Sequence, residues 1–150
     1  NISCKEPATY PHAWMIFRYG EILLNAAEAY NEAEGPAKAY SYINEVRARA
    51  GMPAYADMSQ SELRERIRNE RRIELAFEDH RFWDVRRWKI ADTTQRELYG
   101  VKIEKQADGT FNFYKNLYET RNWRDCMYLY PIPQSELYKN TNLNPQNTGW

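Results

Sequence analysis

The sequence predicts a mainly α-helical fold, an α-α superhelix of tetratricopeptide-like pairs followed by a small β-hairpin and long irregular loops. Three observations lead to this prediction. Apolar residues recur every three or four positions in two segments that meet at Gly35-Pro36. A capping-box pattern begins at Ser59. Apolar and polar residues alternate on both sides of Asp108-Gly109, a typical hairpin turn.

The first helical pair is expected between Ala13 and Ala50. One helix should run from Ala13 to Glu34 and the next from Pro36 to Ala50, because Pro suits a first helical position and Gly51 suits a C-terminal cap. The turn between them is so short that they must be antiparallel neighbours. Their expected inward positions are Ile16, Tyr19, Leu23, Ala27, Tyr30, Ala39, Ile43, Val46 and Ala50. The small residues expected to allow close approach are Ala26, Ala29 and Ala37.

A third helix is expected from Ser59 to about His80, followed by a second helix or turn to about Ile90. Residues 101–105 and 111–115 should form the hairpin, and Cys126 to Ile132 a short extended segment. The tail, residues 140–150, is rich in turn-forming residues and should be an ordered or surface loop. A single helical pair plus one helix is too short for a repeat architecture, which needs about three units. We therefore expect a section outside this chain, or a partner, to cover these helices.

Composition excludes some classes of function. The 21 basic and 21 acidic residues balance, whereas a general phosphate-binding surface needs a basic excess. Cys4 and Cys126 are compatible with one disulfide or with two free thiols, and His12 and His80 have no ligand-type spacing, so no metal or cofactor is predicted. No apolar run approaches the roughly 18 residues of a membrane span.

We compare three hypotheses for the function of the charged stretch at residues 68–88. In a nucleic-acid helix the arginines would be free for phosphates, but here Glu62–Arg66, Glu78–Arg81 and Asp84–Arg87 are spaced to neutralise each other. Carboxylates at Glu70, Glu74 and Glu78 could do acid–base chemistry, yet interleaved arginines make them look like ion-pair partners, and no enzyme is predicted. A scaffold of partly buried Arg–carboxylate pairs fits best.

Four segments in order resemble the SusD/RagB family. ERRIELAFEDHRFWDVRRW (70–88) resembles its pattern E-R-R-x-E-L-x-F-E-G-x-R-x-x-D-L-x-R-W. FRYGEILLNAAEAYNEA (17–33), AYSYINEVRARAGMP (39–53) and YLYPIPQSELYKNTNLNPQNTGW (128–150) resemble three other family segments. Gly20 stands where the family usually has Ala, and Asp79 where it often has Gly. The matched scaffold positions are Arg18, Tyr19, Glu21, Arg47, Arg49, Glu70, Arg71, Arg72, Glu74, Glu78, Arg81, Asp84, Arg87 and Trp88.

The resemblance implies the C-terminal section of a longer protein, with a helical part at 13–90, a hairpin and loop-rich part at 91–150, and the family's N-terminal part missing. Family members are lipoproteins of the outer membrane that face the cell surface and are anchored by an N-terminal lipid, here on the missing part. They bind glycans, or in some members peptides, without chemistry. They act as a lid on a SusC-like TonB-dependent transporter. The implied partners are thus that transporter, a glycan ligand and the N-terminal section, either in one chain or as a separate chain.

Aromatic rings stack on the apolar faces of sugars, and polar side chains bind the hydroxyl groups. Glycan contacts are therefore expected at aromatic and polar residues, and we look for them outside the scaffold positions. Trp83 and Trp88 are instead interpreted as core or motif packing, and Trp150 as a residue that pins the C-terminus. The candidates are Tyr10, Trp14, Tyr55, Asn122, Trp123 and Arg124. The rival hypothesis is a helical-repeat module that binds a peptide or protein partner in the groove of the first helical pair.

Overall fold

A computed structural model describes residues 16–150 and confirms the mainly α-helical fold. Contacts divide the chain into two compact units, which we call the helical unit (to Ala76) and the hairpin unit (from Phe77). The elements are α1 (Tyr19–Glu34), α2 (Pro36–Arg49), α3 (Gln60–Glu74), α4 (His80–Arg87), α5 (Ala91–Thr94), β1 (Glu97–Lys105), β2 (Phe111–Thr120) and α6 (Gln134–Lys139), with 3-10 turns at Asp125–Tyr128 and Thr141–Leu143.

The first helix begins later than its apolar periodicity predicts. Residues 13–15 lie outside the described part, but residues 16–18 are not helical and Ile16 is 81% exposed. Arg18 has an extended backbone (φ −145°), and its carbonyl accepts the first bonds of α1, from the amides of Glu21 and Ile22. The Arg18 side chain is held by Glu74, so the chain enters α1 from an extended residue and the helix starts at Tyr19.

The ends of α1 and α2 confirm the predicted turn chemistry. Gly35 has φ +89°, a conformation that costs a side chain energy, and Pro36 is the first residue of α2. Gly51, at φ +68°, follows the end of α2. Of the alanines expected to allow close approach, Ala29 and Ala37 are exposed and Ala26 is half-buried, whereas Ala27 and Ala39 are fully buried. The buried core of this unit is Leu23, Leu24, Ala27, Ala39, Ile43, Val46, Leu63, Ile67 and Leu75.

Arginine–carboxylate pairs join the elements of the helical unit. Arg47 of α2 donates from Nη1 to Glu70 Oε2 of α3 at 2.8 Å, and from Nε to the Pro53 carbonyl at 2.7 Å; both side chains of the pair are under 10% exposed. Glu74 accepts from both Arg18 and Arg49. A Cβ on Gly20 would lie 2.8 Å from Arg18 Nη1, so the glycine leaves room for this pair.

Side chains of α2 hold the loop that leads to α3. The Asn44 amide donates to the Tyr55 carbonyl at 3.0 Å and accepts from the Tyr55 amide at 2.8 Å. The Tyr40 hydroxyl contacts both backbone groups of Met58. Ser59 then starts α3 with the predicted capping box to Glu62, where bonding from Ser59 lowers the pKa of the Glu62 carboxyl. The loop is therefore tied to α2 along its length.

The third helix ends at Glu74, six residues before the predicted His80. The reason lies in two left-handed residues, Phe77 (φ +65°) and Asp79 (φ +61°), which no α-helix accommodates. Asp79 is the N-cap of α4 and occupies the position where the resembled family often has Gly. Of the ion pairs expected along a helix, Asp84–Arg87 is present at 3.0 Å, whereas Glu62 is engaged by Ser59.

The predicted hairpin is confirmed and is longer than expected. β1 and β2 pair antiparallel, with Val101 opposite Lys115 and Ile103 opposite Phe113, and a register shift between Leu98 and Tyr99. The turn is closed by Asp108, whose carboxylate accepts from the Thr110 amide at 2.9 Å.

The segment from Cys126 to Ile132 is partly helical rather than extended, because it begins in the 3-10 turn. The tail is tied to it. Gln146 pairs its side-chain amide with both backbone groups of Ile132 at 2.8 Å, and Trp150 donates its indole N–H to the carbonyls of Cys126 and Leu129. Trp150 thus pins the end of the chain, as predicted. Within residues 16–150, none of the helices has the length and apolar composition needed to cross a lipid bilayer.

Candidate functional site

The hairpin unit contains a groove of about 830 Å³. It lies where α4, the residues after α4 and the 3-10 turn at Asp125–Tyr128 come together. Its lining residues are Trp83, Arg86, Arg87, Lys89, Asp92, Asp125, Tyr128, Leu129 and Tyr130. The set combines aromatic faces with charges of both signs, the usual composition of a site for a polar organic ligand.

Aromatic rings form one wall of the groove. Trp83 and Tyr130 have ring centroids 6.1 Å apart, and both contact Phe82, which meets Trp83 edge-to-face at 5.0 Å. Trp83 is 58% exposed and Tyr130 is 61% exposed. These rings support each other from the side while leaving large apolar faces open to solvent.

Charged groups are held in place beside these rings. The Arg86 guanidinium lies 3.5 Å from the Phe82 ring centroid and 5.2 Å from that of Trp123, and it donates to the Phe82 carbonyl at 3.0 Å. The Tyr128 hydroxyl donates to the Asp92 carboxylate at 3.0 Å. Burial raises the pKa of Tyr128, which keeps this hydroxyl protonated and able to donate.

The structure brings one of the sequence-predicted candidates, Trp123, beside the groove. Trp123 meets Tyr128 edge-to-face with ring centroids 5.2 Å apart, and its buried indole Nε1 has no acceptor within the described part of the chain. The Arg124 guanidinium lies over the Trp150 ring at 5.9 Å. Asn122, the neighbour of Trp123, is exposed. Trp123 therefore supports the groove from behind Tyr128 rather than lining it.

Tyr55 is not part of the groove. Tyr55 belongs to the helical unit, where the Arg47 guanidinium stacks on it at 3.7 Å and the ring packs on the core. Tyr10 and Trp14 lie outside the described residues.

The scaffold positions differ in burial. Arg47, Glu70, Arg71 and Asp84 are buried. The half-buried positions are Arg18, Glu21, Glu74, Glu78, Arg81 and Trp88, and the exposed ones are Tyr19, Arg49, Arg72 and Arg87.

The groove residues Trp83 and Tyr130 were missed from the sequence. The sequence predicts core or motif packing for Trp83; its ring does contact Phe82 and Tyr130, but it is not part of a buried core, because it is 58% exposed. Tyr128 and Tyr130 approach α4 only through tertiary folding, which no local pattern reveals.

The side chains of the groove are suited to binding a polar ligand. Aromatic faces, a fixed guanidinium and a tyrosine–aspartate pair can orient a hydroxyl-rich ligand. In the part of the chain from residue 16 onwards, no three His, Cys, Asp or Glu side chains come together as metal ligands would.

Known sequences are similar to this chain. The sequence model of the SusD family matches residues 5–150. SusD-like protein P2 of Formosa agariphila is 40% identical over 147 residues, which cover 91% of this chain and 26% of that protein. SusD-like protein P25 of the same organism is 35% identical over 134 residues, 84% of this chain and 22% of that protein. The chain therefore spans about a quarter of the length of these relatives.

Solved structures share the fold. A SusD-like protein from Bacteroides fragilis, 41% identical, superposes with a TM-score of 0.79 over 94% of this chain and 28% of its own. A SusD-like carbohydrate-binding protein from Bacteroides vulgatus, 23% identical, has a TM-score of 0.56 over 87% of this chain and 29% of its own and shows a shared fold alone. From a family match that spans nearly the whole sequence and these likenesses, the chain belongs to the SusD family.

Proposed function

We propose that this chain is the C-terminal section of a SusD-like lipoprotein that captures glycans at the bacterial cell surface without catalysis. In this proposal the remaining N-terminal section, in one chain or as a separate chain, carries the lipid anchor in the outer membrane. The captured glycan is passed to a SusC-like TonB-dependent transporter. Family membership supports the general role, and one structural neighbour is described as carbohydrate-binding.

The observation that carries the proposal is the open aromatic wall of the groove. A pyranose ring has apolar C–H faces, which stack on exposed rings such as Trp83 and Tyr130. Its hydroxyl rim needs donors and acceptors nearby, and Arg86, Asp92 and Asp125 lie in the same groove. A volume of about 830 Å³ is in the range of a small-molecule site and accommodates an oligosaccharide segment.

A glycan array tests this proposal on the longer SusD-like protein proposed above, which we call the parent. The 150-residue chain is run beside it on the same array. Trp83→Ala and Tyr130→Ala should each weaken binding about tenfold, which corresponds to about 1.4 kcal/mol. Tyr138→Ala is the matched control, because Tyr138 is 79% exposed in the same unit but does not line the groove. Trp123→Ala should have a smaller effect, since Trp123 acts through Tyr128.

The outcomes separate the alternatives. Unchanged affinity in both groove variants would move the glycan site to another part of the parent. No binding by the parent on a broad panel would remove glycan capture altogether.

A peptide-binding module is the second candidate, and one observation favours it. A groove of about 410 Å³ lies between the start of α1 and the end of α2, lined by Arg18, Tyr19, Gly20, Leu23, Glu45, Val46 and Arg49. Tyr19 is 66% exposed there. This candidate predicts loss of peptide binding on Tyr19→Ala with no glycan affinity in the parent, which is the reverse of the result expected above.

A further inference from the structure

The hairpin has one apolar face and one polar face. The strand register places the side chains of Tyr99, Val101 and Ile103 on the same side as those of Phe111, Phe113 and Leu117, and we call these six residues the apolar hairpin face. Each of the six is between 48% and 67% exposed. The opposite side carries Lys102, Glu104, Asn112, Tyr114 and Asn116.

Such a face is unusual on a surface that remains in water. A two-stranded hairpin is at best marginally stable alone and gains stability when its apolar side packs on another element. Contiguous exposed apolar patches of this kind mark interaction surfaces. The polar opposite side shows that the hairpin is built to be covered on one side only.

We propose that the apolar hairpin face is the docking surface for the section of the longer polypeptide that lies outside these 150 residues. The relatives and solved structures matched by this chain are about four times as long, with the shared part covering 26% and 28% of their lengths, so a large body of additional chain is available. This inference rests on family membership and on the hairpin, and it does not depend on glycan capture.

The side chains of the apolar hairpin face favour a protein segment over a glycan or a second copy of this chain. The aliphatic side chains of Val101, Ile103 and Leu117 lie among the rings of Tyr99, Phe111 and Phe113, and such a mixed apolar surface suits the dry core of a protein interface. A second copy fits poorly. A face-to-face dimer would bring Lys105 and Lys115 of both copies into one apolar interface. Lys105 and Lys115 fit an apolar surface that carries carboxylates.

The test measures thiol reactivity on the parent polypeptide, in a background in which Cys4 and Cys126 are replaced by Ser. Phe113→Cys and Val101→Cys report the apolar side, and their chain neighbours Asn112→Cys and Lys102→Cys report the polar side as matched controls. In the parent, a maleimide should react at least about tenfold more slowly at positions 113 and 101 than at 112 and 102, because a docked thiol reacts only when the interface opens. In the 150-residue chain all four positions should react at similar rates.

Three results would overturn the proposal. Equal rates on both sides in the parent would show an uncovered face. Protection that disappears on dilution would assign the face to a second copy, and protection that appears only with anionic phospholipid vesicles would assign it to a membrane. Hydroxyl-radical footprinting of Phe113 and Tyr99 in the unsubstituted parent gives the same answer without relying on the folding of any variant.

Discussion

The helical unit and the hairpin unit place their apolar side chains differently. Every member of the main buried cluster belongs to the helical unit, whereas in the hairpin unit the buried apolar residues are Val85, Ala91 and Leu137. Most of the large apolar side chains that remain exposed in the described chain belong to the hairpin unit. The difference teaches that three packed helices bury most of their own apolar side chains against each other, while a two-stranded ribbon and short helices leave much of their apolar surface exposed.

Removing one partner of the buried Arg47–Glu70 ion pair should cause the largest loss in the free energy of unfolding. Glu70→Ala leaves Arg47 as a buried charge without its carboxylate, and we expect a loss of about 3–5 kcal/mol in the free energy of unfolding. Urea unfolding followed by circular dichroism measures it. The paired change Arg47→Met with Glu70→Leu is the control and should recover most of the loss. A loss below about 1 kcal/mol for Glu70→Ala would mean that the pair behaves as a surface contact.

Truncating one apolar residue in each unit tests the contrast directly. Leu63→Ala removes a fully buried side chain and should lower the free energy of unfolding by about 2–5 kcal/mol. Ile103→Ala removes a side chain that is 57% exposed and should change it by no more than about 0.5 kcal/mol in the 150-residue chain. Similar losses for the two variants would contradict the comparison. In the parent, Ile103→Ala should become costly if the hairpin face is covered.

A backbone change at the junction of the units should stabilise the protein. Asp79 has φ +61°, which costs about 1–2 kcal/mol for an L-residue, so Asp79→Gly should raise the free energy of unfolding by about 1 kcal/mol. Thermal unfolding measures the shift. Asp79→Ala is the control and should not stabilise, because alanine keeps the Cβ. Destabilisation by the glycine would show that the Asp79 side chain contributes more than its backbone costs.

The smallest effect concerns pH. Hydrogen bonding from Arg64 lowers the pKa of the Glu32 carboxyl below its ordinary value of 4.5, although burial opposes this. A lowered folded-state pKa stabilises the protein above about pH 4.5, and this contribution is lost as the pH falls through the folded-state value. Since both side chains are partly exposed, Glu32→Gln should cost only a few tenths of a kcal/mol at pH 7 and less than that at pH 3. The same difference at both pH values would contradict the assignment, and adding Arg64→Gln should change little further.

The parts of the fold that the sequence predicted correctly are those specified by residues close together in the chain. The turn at Gly35-Pro36, the capping box at Ser59 and the hairpin at Asp108-Gly109 are each specified by residues within a few positions of each other. The early end of α3 could not be predicted, because Phe77 adopts a left-handed conformation that its residue type disfavours.

The candidate groove was even harder to predict from the sequence. Its walls combine α4 with a segment more than thirty residues farther along the chain, as in the contact between Trp83 and Tyr130. Trp123 was singled out because it stands beside polar residues, and it does lie next to the groove, but the exposed rings are others. Periodicity identifies which side chains turn inward, and it carries no information on what a half-exposed aromatic meets in space.

The contacts of the tail fix an order of events during synthesis. The groove wall formed by Leu129 and Tyr130 is held by Gln146, Asn147 and Trp150, which accept from or donate to the backbone of residues 126–132. These three residues are translated after the segment that they fix. A nascent chain can thus complete its helical unit while still on the ribosome, yet its groove takes final shape only after Trp150 has emerged. Closure of this groove wall therefore waits for residues that are made after the wall itself.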